Sequence, residues 1–327
     1  MALVRERRHQ QALRVSLPSP NYFPQYRYHL PPETASPNSP DVESLADLKK
    51  LSVLGHGNGA TVYKVRNQKS SSIYALKVLR FDQNAGSIRH QAAREAEILK
   101  RVDSEFIVKC HAVFYTIEGE ICFVMEHMEG GSLSDALNVH ETLSEDVIAR
   151  VAYRMLKGLQ YLHGLRIVHG DIKPSNLLIN GKGEVKIADF GVSRIIGTGT
   201  GTGMRNGMDS NDGTCAYMSP ERVDPERWGG DNNADGFAGD VWSLGVVVLE
   251  CLVGHYPLIG MGEKPDWAAL ICAICLGERL EMPEGASMEF RSFVRSCLEK
   301  DWKKRGTVEQ LLAHPFVNKI SPESSSP

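Results

Sequence analysis

The sequence predicts an α+β fold in which a small, antiparallel, β-rich lobe with one main helix precedes a larger α-helical lobe. Three observations lead to this prediction. β-like runs occur early in the chain, from Leu51 to Leu79, and a helical segment, Ile88 to Lys100, follows them. Leu177 to Ala188 has a strand-turn-strand pattern. Apolar helical runs such as Trp267 to Leu276 come later, which places the helical lobe second.

A glycine-rich turn lies between two β-like runs, Leu51 to Leu54 and Thr61 to Val65. Glycine lets a hairpin backbone approach a phosphate group closely. Such a turn alone is weak evidence of a nucleotide site. Ala60 replaces the last glycine of the pattern, a change that stiffens the backbone and should not abolish binding. The residues of the turn and its flanks that we expect at a nucleotide are Leu54, Gly55, His56, Gly57, Asn58, Gly59, Ala60 and Val62.

The next strand-like run, Ile73 to Leu79, carries Lys77 among apolar neighbours such as Ala75. Lys77 is either a buried, paired cation or an exposed edge-strand charge, and exposed lysines are commoner. The phosphate loop before it, and the helical segment with Glu95 and Glu97 after it, favour a lysine-glutamate pair that anchors the α- and β-phosphates. We predict Glu95 as the partner. The alternative for both glutamates is a solvated helix face.

Between His169 and Gly191 the sequence reads HGDIKPSNLLINGKGEVKIADFG. Transfer of a γ-phosphate needs a carboxylate that orients the attacking hydroxyl, a cation near the phosphates and oxygen ligands for Mg²⁺. Asp171 is the predicted catalytic carboxylate and Lys173 the cation, while Asn176 and Asp189 are the predicted metal ligands. The sequence therefore predicts phosphoryl transfer with ATP and Mg²⁺ as cofactors.

With these motifs in order, the chain closely resembles the eukaryotic protein kinases from about Leu48 to Phe316. Ser219-Pro220-Glu221 stands where that family closes its activation segment, and Asp240 to Gly245 where a buried helix begins. The resemblance implies the bilobal protein kinase fold. It also implies that Arg305 pairs with Glu221.

Three segments resemble the mitogen-activated protein kinase kinases, and most of all the plant branch: Gly55 to Gly59, Met125 to Leu133 and Gly213 to Glu221. This resemblance implies a dual-specificity kinase that phosphorylates Thr and Tyr in the Thr-x-Tyr activation loop of a downstream MAP kinase. It implies an upstream MAP kinase kinase kinase as activator.

By the same resemblance, Met125 lines the back of the adenine pocket, and Glu126 and Met128 offer backbone groups to the adenine edge. A core residue without contact to a nucleotide is the alternative for Met125, and both descriptions are compatible. The predicted domain limits are a tail of residues 1–46, a kinase domain of residues 47–316 and a short polar tail of residues 317–327.

The amino-terminal tail is rich in proline and lacks an apolar period, which predicts disorder. Arg7 and Arg8 form a basic cluster before Leu13 and Val15, whose side chains point the same way in an extended peptide. This arrangement resembles the docking motif with which kinase kinases hold a MAP kinase. A generic basic tail and a nuclear-import patch are the alternatives.

The chain departs from the family pattern at the catalytic loop and in the activation segment. Gly170 replaces an arginine that normally pairs with a phosphate on that segment, and Arg194 is a candidate for partial substitution. Ser210 falls at a family phosphosite, and Thr202, in a Gly-Thr insert of residues 197–203, is the nearest substitute for its partner. Two hypotheses stay open: an active kinase with an unusual switch, or a weakly active or inactive kinase-fold scaffold that binds a MAP kinase through its tail. The retained motif residues favour the enzyme.

Composition agrees with one bilobal unit, since the chain has 327 residues, 42% of them hydrophobic. A net charge of −3 argues against nucleic acid as the main partner. No apolar stretch fits a secretory signal, and Val246 to Val253 is too short to span a membrane. The 7 cysteines show no disulfide framework, and we expect Cys272 and Cys275 to be helix core. We therefore expect a monomer in the cytoplasm, with the nucleus open as a second location.

Overall fold

The computed structural model describes residues 42–57, 59–81, 86–196, 213–229, 235–259, 266–277 and 282–319, all within one compact unit. Several positions singled out in the sequence lie outside these residues. They are the predicted docking residues Arg7, Arg8, Leu13 and Val15, the turn residue Asn58, and the predicted phosphosites Thr202 and Ser210.

The amino-terminal lobe is built on a five-stranded antiparallel sheet with strand order β1-β2-β3-β5-β4. Within its described residues, one longer helix, α1, lies between β3 and β4 in sequence. The β-like runs and the helical segment predicted from the sequence fall inside β1, β2, β3 and α1. The bounds are β1 Leu48–Gly57, β2 Ala60–Asn67, β3 Ile73–Leu79, α1 Gly86–Arg101, β4 Cys110–Tyr115 and β5 Ile121–Glu126.

One face of this sheet is covered by the chain that leads into it. Val42 is 1% exposed and packs in a cluster with Val65, Tyr74 and Leu76. A short 3-10 helix, Leu45–Asp47, connects it to β1. The chain therefore packs on the sheet from Val42 onwards, whereas the domain boundary between residues 46 and 47 stays a prediction.

The carboxyl-terminal lobe is mainly helical and carries two small antiparallel sheets, β6 with β9 and β7 with β8. The strand-turn-strand pattern predicted for Leu177 to Ala188 corresponds to β7 and β8. An α+β fold with a sheet-based first lobe and a helical second lobe is thus confirmed. The bounds are α2 Leu133–His140, α3 Glu145–Gly164, β6 Ile167–Val168, β7 Leu177–Ile179, β8 Val185–Ile187, β9 Arg194–Ile195, α4 Pro220–Val223, α5 Pro225–Trp228, α6 Asp235–Val253, α7 Trp267–Ile271, α8 Met288–Cys297, α9 Val308–Leu312 and α10 Pro315–Asn318.

Helix α6 forms the centre of this lobe and begins at Asp235, earlier than the start predicted at Asp240. The predicted start came from the resemblance, which marks the motif from Asp240 to Gly245 and not the turn before it. Here glycine allows close packing: a Cβ on Gly236 would lie 2.8 Å from a methyl carbon of Val168. The stretch Gly236–Val253 is long and apolar enough to cross a membrane, but 72% of it is buried inside the protein, as in a core helix.

The prediction that both cysteines of the Cys272-x-x-Cys275 pair are helix core is right for one and wrong for the other. Cys275 is buried, whereas Cys272 is exposed. Helix α7 continues as one π-helical stretch, Cys272–Leu276, which widens the turn. Cys272 and Leu276 lie four residues apart and are both exposed, and a run in which every residue is apolar does not reveal this solvent-facing side.

Candidate active site

Two residues of the amino-terminal lobe and one of the carboxyl-terminal lobe form a charged cluster between the lobes. Lys77 on β3 lies 2.6 Å from Glu95 on α1 and 2.8 Å from Asp189 of the Asp-Phe-Gly motif. Burial opposes the charge on Lys77, but Asp189 and Glu95 outweigh it and raise the pKa of the lysine. Lys77 is therefore a charged link between the lobes.

The two carboxylates of this cluster respond differently to burial. Burial raises the pKa of Glu95 despite its bond to Lys77. For Asp189, burial also opposes ionisation, but the charge and hydrogen bond of Lys77 hold the pKa below its usual range. Asp189 is thus the carboxylate kept ionised, as a metal ligand must be.

The choice between Glu95 and Glu97 is settled by the contacts of Lys77. Glu97 points to the solvent and pairs with Arg101 one helical turn away, and both side chains are about half exposed. Glu95 is 4% exposed. The predicted lysine-glutamate pair is confirmed, while its role at a nucleotide stays a prediction.

The catalytic-loop residues predicted from the sequence also lie together. The Lys173 ammonium is 2.9 Å from Asp171 Oδ2. The Asn176 amide donates to the Asp171 main-chain oxygen and to Asp171 Oδ2, both at 2.9 Å. Since the amide nitrogen of Asn176 is held by Asp171, its carbonyl oxygen points the other way and is available as a ligand.

The catalytic loop is held by a buried carboxylate, Asp240, which the sequence analysis did not assign to the site. Asp240 on α6 is 1% exposed. It accepts hydrogen bonds from the backbone N–H of His169 at 3.0 Å and of Gly170 at 2.8 Å. Its Oδ2 also lies 2.9 Å from His163 Nε2 on α3. The sequence singled out Asp240 only as a helix start, since its partners are distant in sequence.

These bonds keep Asp240 charged in a buried position. Burial disfavours the carboxylate, but the hydrogen bond and charge of His163, together with His169, lower its pKa below the usual value. A buried ionised group that holds two consecutive backbone amides restricts the loop on which Asp171 stands.

The backbone of the Asp-Phe-Gly motif is set by an unusual conformation. Asp189 has a φ of 65°, in the left-handed region that few residues other than glycine adopt, although aspartate tolerates it better than most. Phe190 is 1% exposed, and its ring packs on that of His169 in a T-shaped arrangement with the centroids 5.1 Å apart. The buried ring anchors the motif while Asp189 reaches Lys77.

The glycine turn leaves space where a phosphate would approach. A Cβ added to Gly55 or Gly57 would meet nothing within 4 Å. Gly59 has a φ of +70°, so this position favours glycine. Val62 on β2 pairs in register with Lys77 on β3, so the hairpin extends from the strand that carries the lysine. Leu54 is half exposed beside it.

The segment between the lobes carries the residues predicted at the adenine edge. Met125 is partly buried, lies beside Ala75 in the sheet register and packs on a cluster that contains Met128. The backbone N–H of Glu126 donates to the Lys109 carbonyl at 2.8 Å, which leaves its carbonyl as the group that could meet a nucleotide.

The Glu126 side chain does not contribute to this edge. It accepts two hydrogen bonds from Lys186 on β8, at 2.7 and 2.8 Å. The sequence pattern did not predict this bond, which ties the segment between the lobes to the second lobe.

The donor set fits ATP with a divalent cation. Asp189 and Asn176 offer a carboxylate and an amide oxygen, the ligand types that Mg²⁺ prefers, and Mg²⁺ takes its remaining ligands from phosphate and water. In the described part of the chain, no group of three or more His, Cys, Asp and Glu side chains could hold a metal on its own.

The end of the activation segment is fixed on the helical lobe. Arg305 donates to both carboxylate oxygens of Glu221, at 2.7 and 3.0 Å, and neither side chain is exposed. The predicted pair is thus confirmed. Before it in the chain, the Tyr217 hydroxyl donates to Glu250 at 2.7 Å and Ser243 donates to the Tyr217 carbonyl at 2.7 Å.

Comparison with known proteins agrees with this geometry. The family model described as the protein kinase domain matches residues 48–317 of this chain. Over 317 residues, 97% of this chain and 99% of the relative, it is 55% identical to mitogen-activated protein kinase kinase 10 of Arabidopsis thaliana. The chain belongs to the mitogen-activated protein kinase kinases. Kinase kinases 9 and 7 of the same plant are 50% and 47% identical, over 97% of this chain and 99% of each relative.

As a member of this family, the chain is an ATP-dependent protein kinase. Its bilobal kinase fold and its resemblance to the plant branch are confirmed. The structure forms one cluster of Lys77, Glu95 and Asp189 and another of Asp171, Lys173 and Asn176. The two are joined where the N–H of Ala188, the residue before Asp189, donates to the Asn176 main-chain carbonyl at 2.8 Å. Their individual roles follow from chemistry and remain predictions.

Proposed function

We propose that this kinase kinase transfers the ATP γ-phosphate to both Thr and Tyr of the Thr-x-Tyr loop of a MAP kinase, and that a MAP kinase kinase kinase activates it. The observation that carries the proposal is the assembled Lys77–Glu95–Asp189 cluster beside the Asp171 loop. The names of the relatives support the cascade position.

In the proposed mechanism, Lys77 binds the α- and β-phosphates with Glu95 holding it in place, and the glycine turn covers them. Asn176 and Asp189 would hold Mg²⁺. Bound Mg-ATP supplies the phosphoryl group and neutralises its charge as it transfers. This division of roles leaves Asp171 and Lys173 for the reacting hydroxyl and the phosphoryl oxygens.

Asp171 orients the acceptor hydroxyl and accepts its proton. Lys173 is already placed 2.9 Å from Asp171 Oδ2. Its ammonium stabilises charge that spreads over the transferring group, which is electrostatic preorganisation and not proton transfer. Asn176 fixes the Asp171 carboxylate through its amide. Asp171→Asn should lower turnover by several orders of magnitude and leave ATP binding nearly unchanged.

The test incubates the purified protein with Mg-ATP and a panel of catalytically inactive MAP kinases, with Asp171→Asn as control. Phosphate on the Thr-x-Tyr loop above the control supports the proposal and identifies a substrate. If no signal appears, even with Ser210→Asp and a co-expressed upstream kinase, the inactive scaffold is the better account.

The docking part of the proposal is separable. We propose that Arg7 and Arg8 meet an acidic patch of the MAP kinase while Leu13 and Val15 enter apolar pockets. Replacing both apolar residues with Ala should weaken capture of the MAP kinase and leave ATP binding unchanged. Unchanged capture would contradict the docking role.

Further parts of the proposal concern the oligomeric state, location, partners and phosphorylation of the enzyme. We propose a monomer in the cytoplasm, with the nucleus as a second location, without nucleic acid or membrane as a partner. Ser210 and Thr202 are the proposed activating phosphosites. Mass spectrometry of the protein after treatment with an upstream kinase tests this assignment, and phosphate confined to other residues would refute it.

A further inference from the structure

Gly170 occupies a left-handed backbone position directly before the catalytic Asp171. Its φ is +80°, a conformation that glycine adopts without steric cost and other residues rarely adopt. A glycine is also the residue with the most backbone freedom, so the loop at this position depends on contacts from outside. Asp240 provides one of them through the Gly170 N–H, at 2.8 Å.

The second contact comes from the far end of the activation segment. Arg222 on α4 donates from Nη1 to the Gly170 carbonyl oxygen, a contact between residues 52 apart in sequence. Burial opposes the charge on Arg222 and, together with Arg194, lowers its pKa, although Asp240 and Asp171 attract the guanidinium. The contact that holds the guanidinium beside Gly170 is its hydrogen bond to the carbonyl oxygen.

The carbonyl that Arg222 contacts belongs to the peptide group between Gly170 and Asp171. The other end of this peptide, the Asp171 N–H, donates to His169 Nδ1 at 3.2 Å. Both polar atoms of one planar group are thus engaged, and rotation of that plane would break both bonds. Since the Asp171 side chain leaves the chain directly after this plane, the plane sets where its carboxylate points.

The backbone segment that carries Arg222 is also held in place. The preceding residue, Glu221, is the buried partner of Arg305. Two consecutive residues therefore connect the end of the activation segment in opposite directions, Glu221 to the helical core and Arg222 to the catalytic loop. Arg194, the substitute suggested by the sequence, does not supply the contact to the Gly170 carbonyl.

We infer that Arg222 is a positioning residue for the kinase reaction. It fixes the Gly170–Asp171 peptide and thereby the direction in which the Asp171 carboxylate points. Arg222 thereby connects the catalytic loop, which has glycine and not arginine at position 170, to the end of the activation segment. Disturbing the end of that segment then moves Asp171, without any change in the nucleotide contacts of Lys77.

The test compares Arg222→Ala, Arg222→Lys and a control, Arg227→Ala, in the full-length protein. Arg227 is an exposed arginine on the adjacent helix α5, where it packs on Trp228. For Arg222→Ala we expect kcat to fall about 10- to 150-fold, the range for loss of one hydrogen bond from a charged donor, with KM for ATP within about 2-fold of wild type. Arg222→Lys should recover most of kcat, because one hydrogen bond to a carbonyl does not need the fork of arginine.

A second readout does not depend on turnover or on the acceptor. Hydrogen exchange of the amides of residues 169–171 should become about 10-fold faster in Arg222→Ala, with α6 and the thermal midpoint unchanged. This inference rests on kinase activity and not on which MAP kinase is the substrate. If the wild type phosphorylates none of the acceptors tested, the exchange experiment still shows whether Arg222 restrains the catalytic loop.

Three results would overturn the inference. Unchanged kcat and exchange in Arg222→Ala would show that the contact has no positioning role. Loss spread over the whole helical lobe, with a lowered midpoint, would show a general structural role. Equal loss in Arg222→Lys and Arg222→Ala would show that the shape of the arginine matters and not its donated hydrogen bond.

Discussion

Replacing Glu95 by Gln isolates the charge that holds Lys77 in the cleft between the lobes. The substitution keeps the volume of the side chain and its ability to accept a hydrogen bond, but it removes the ion pair at 2.6 Å. Lys77 is then left with Asp189 as its carboxylate partner, at 2.8 Å. Asp189 is also a predicted metal ligand, so the lysine and the metal would share one carboxylate.

The magnitude follows from burial. The Glu95 and Lys77 side chains are only 5% and 18% exposed, so solvent screens their attraction weakly. A hydrogen bond with a charged partner contributes about 1.5–3 kcal/mol, which corresponds to about 10- to 150-fold in kcat/KM for ATP. Folding stability should change much less, because burial already disfavours the Glu95 carboxylate and raises its pKa.

The assay is steady-state phosphorylation with ATP as the varied substrate, and Glu97→Gln is the matched control. Glu97 lies on the same helix but is 54% exposed and pairs only with Arg101 among the described residues. Such a surface pair is worth about 0.3–0.5 kcal/mol, so the control should stay within about 2-fold of wild type. A change of less than about 3-fold in Glu95→Gln, or an equal loss in both variants, would refute the reasoning.

Three further predictions concern stability, pH and thiol reactivity. Arg305→Met should lower the free energy of unfolding by about 3–5 kcal/mol, because it leaves the fully buried Glu221 unpaired; urea unfolding measures this. Asp240 has a lowered pKa, so its stabilising contribution should be complete well above its ordinary value of 3.8 and be lost as the pH falls through the lower folded value. Urea unfolding at a series of pH values from about 3 to about 7 measures that loss. Labelling of the native protein should modify Cys272 first, since it is the exposed thiol among the seven cysteines.

Each of these has a control. Arg101→Met removes an exposed ion pair and should cost less than about 0.5 kcal/mol; a cost equal to that of Arg305→Met would refute the burial argument. The stability difference between wild type and Asp240→Asn should shrink toward acid pH, and a constant difference would contradict the assignment. Cys272→Ser should abolish the fast labelling phase, and its persistence would place the reactive thiol elsewhere.

The sequence predicted the parts of the site that rest on local order along the chain. Lys77, Asp171 and Asp189 each stand in a motif whose spacing reflects their chemistry, whereas the ion pair between Lys77 and Asp189 was not predicted. The choice of Glu95 over Glu97 was also right, because the helix presents only one of the two to the sheet. Resemblance to the kinases supplied the Glu221–Arg305 pair, which no local pattern would have indicated.

The parts that could not be predicted are contacts between residues distant in sequence that carry no motif. Asp240 holds the catalytic loop from a helix about 70 positions away, and Arg222 reaches Gly170 from the other side. Which atoms meet there depends on how α6 and α4 pack beneath the loop. The exposure of Cys272 likewise could not be predicted, because every residue from Trp267 to Leu276 is apolar and the pattern does not mark the side that faces the solvent.

The most direct test of the central claim is to map phosphate on the Thr-x-Tyr peptide of an inactive MAP kinase by mass spectrometry, after incubation with the wild type or with Asp171→Asn. The account predicts phosphate on both Thr and Tyr with the wild type and on neither with the variant. Phosphate that appears equally with both proteins, or only outside this loop, would contradict it.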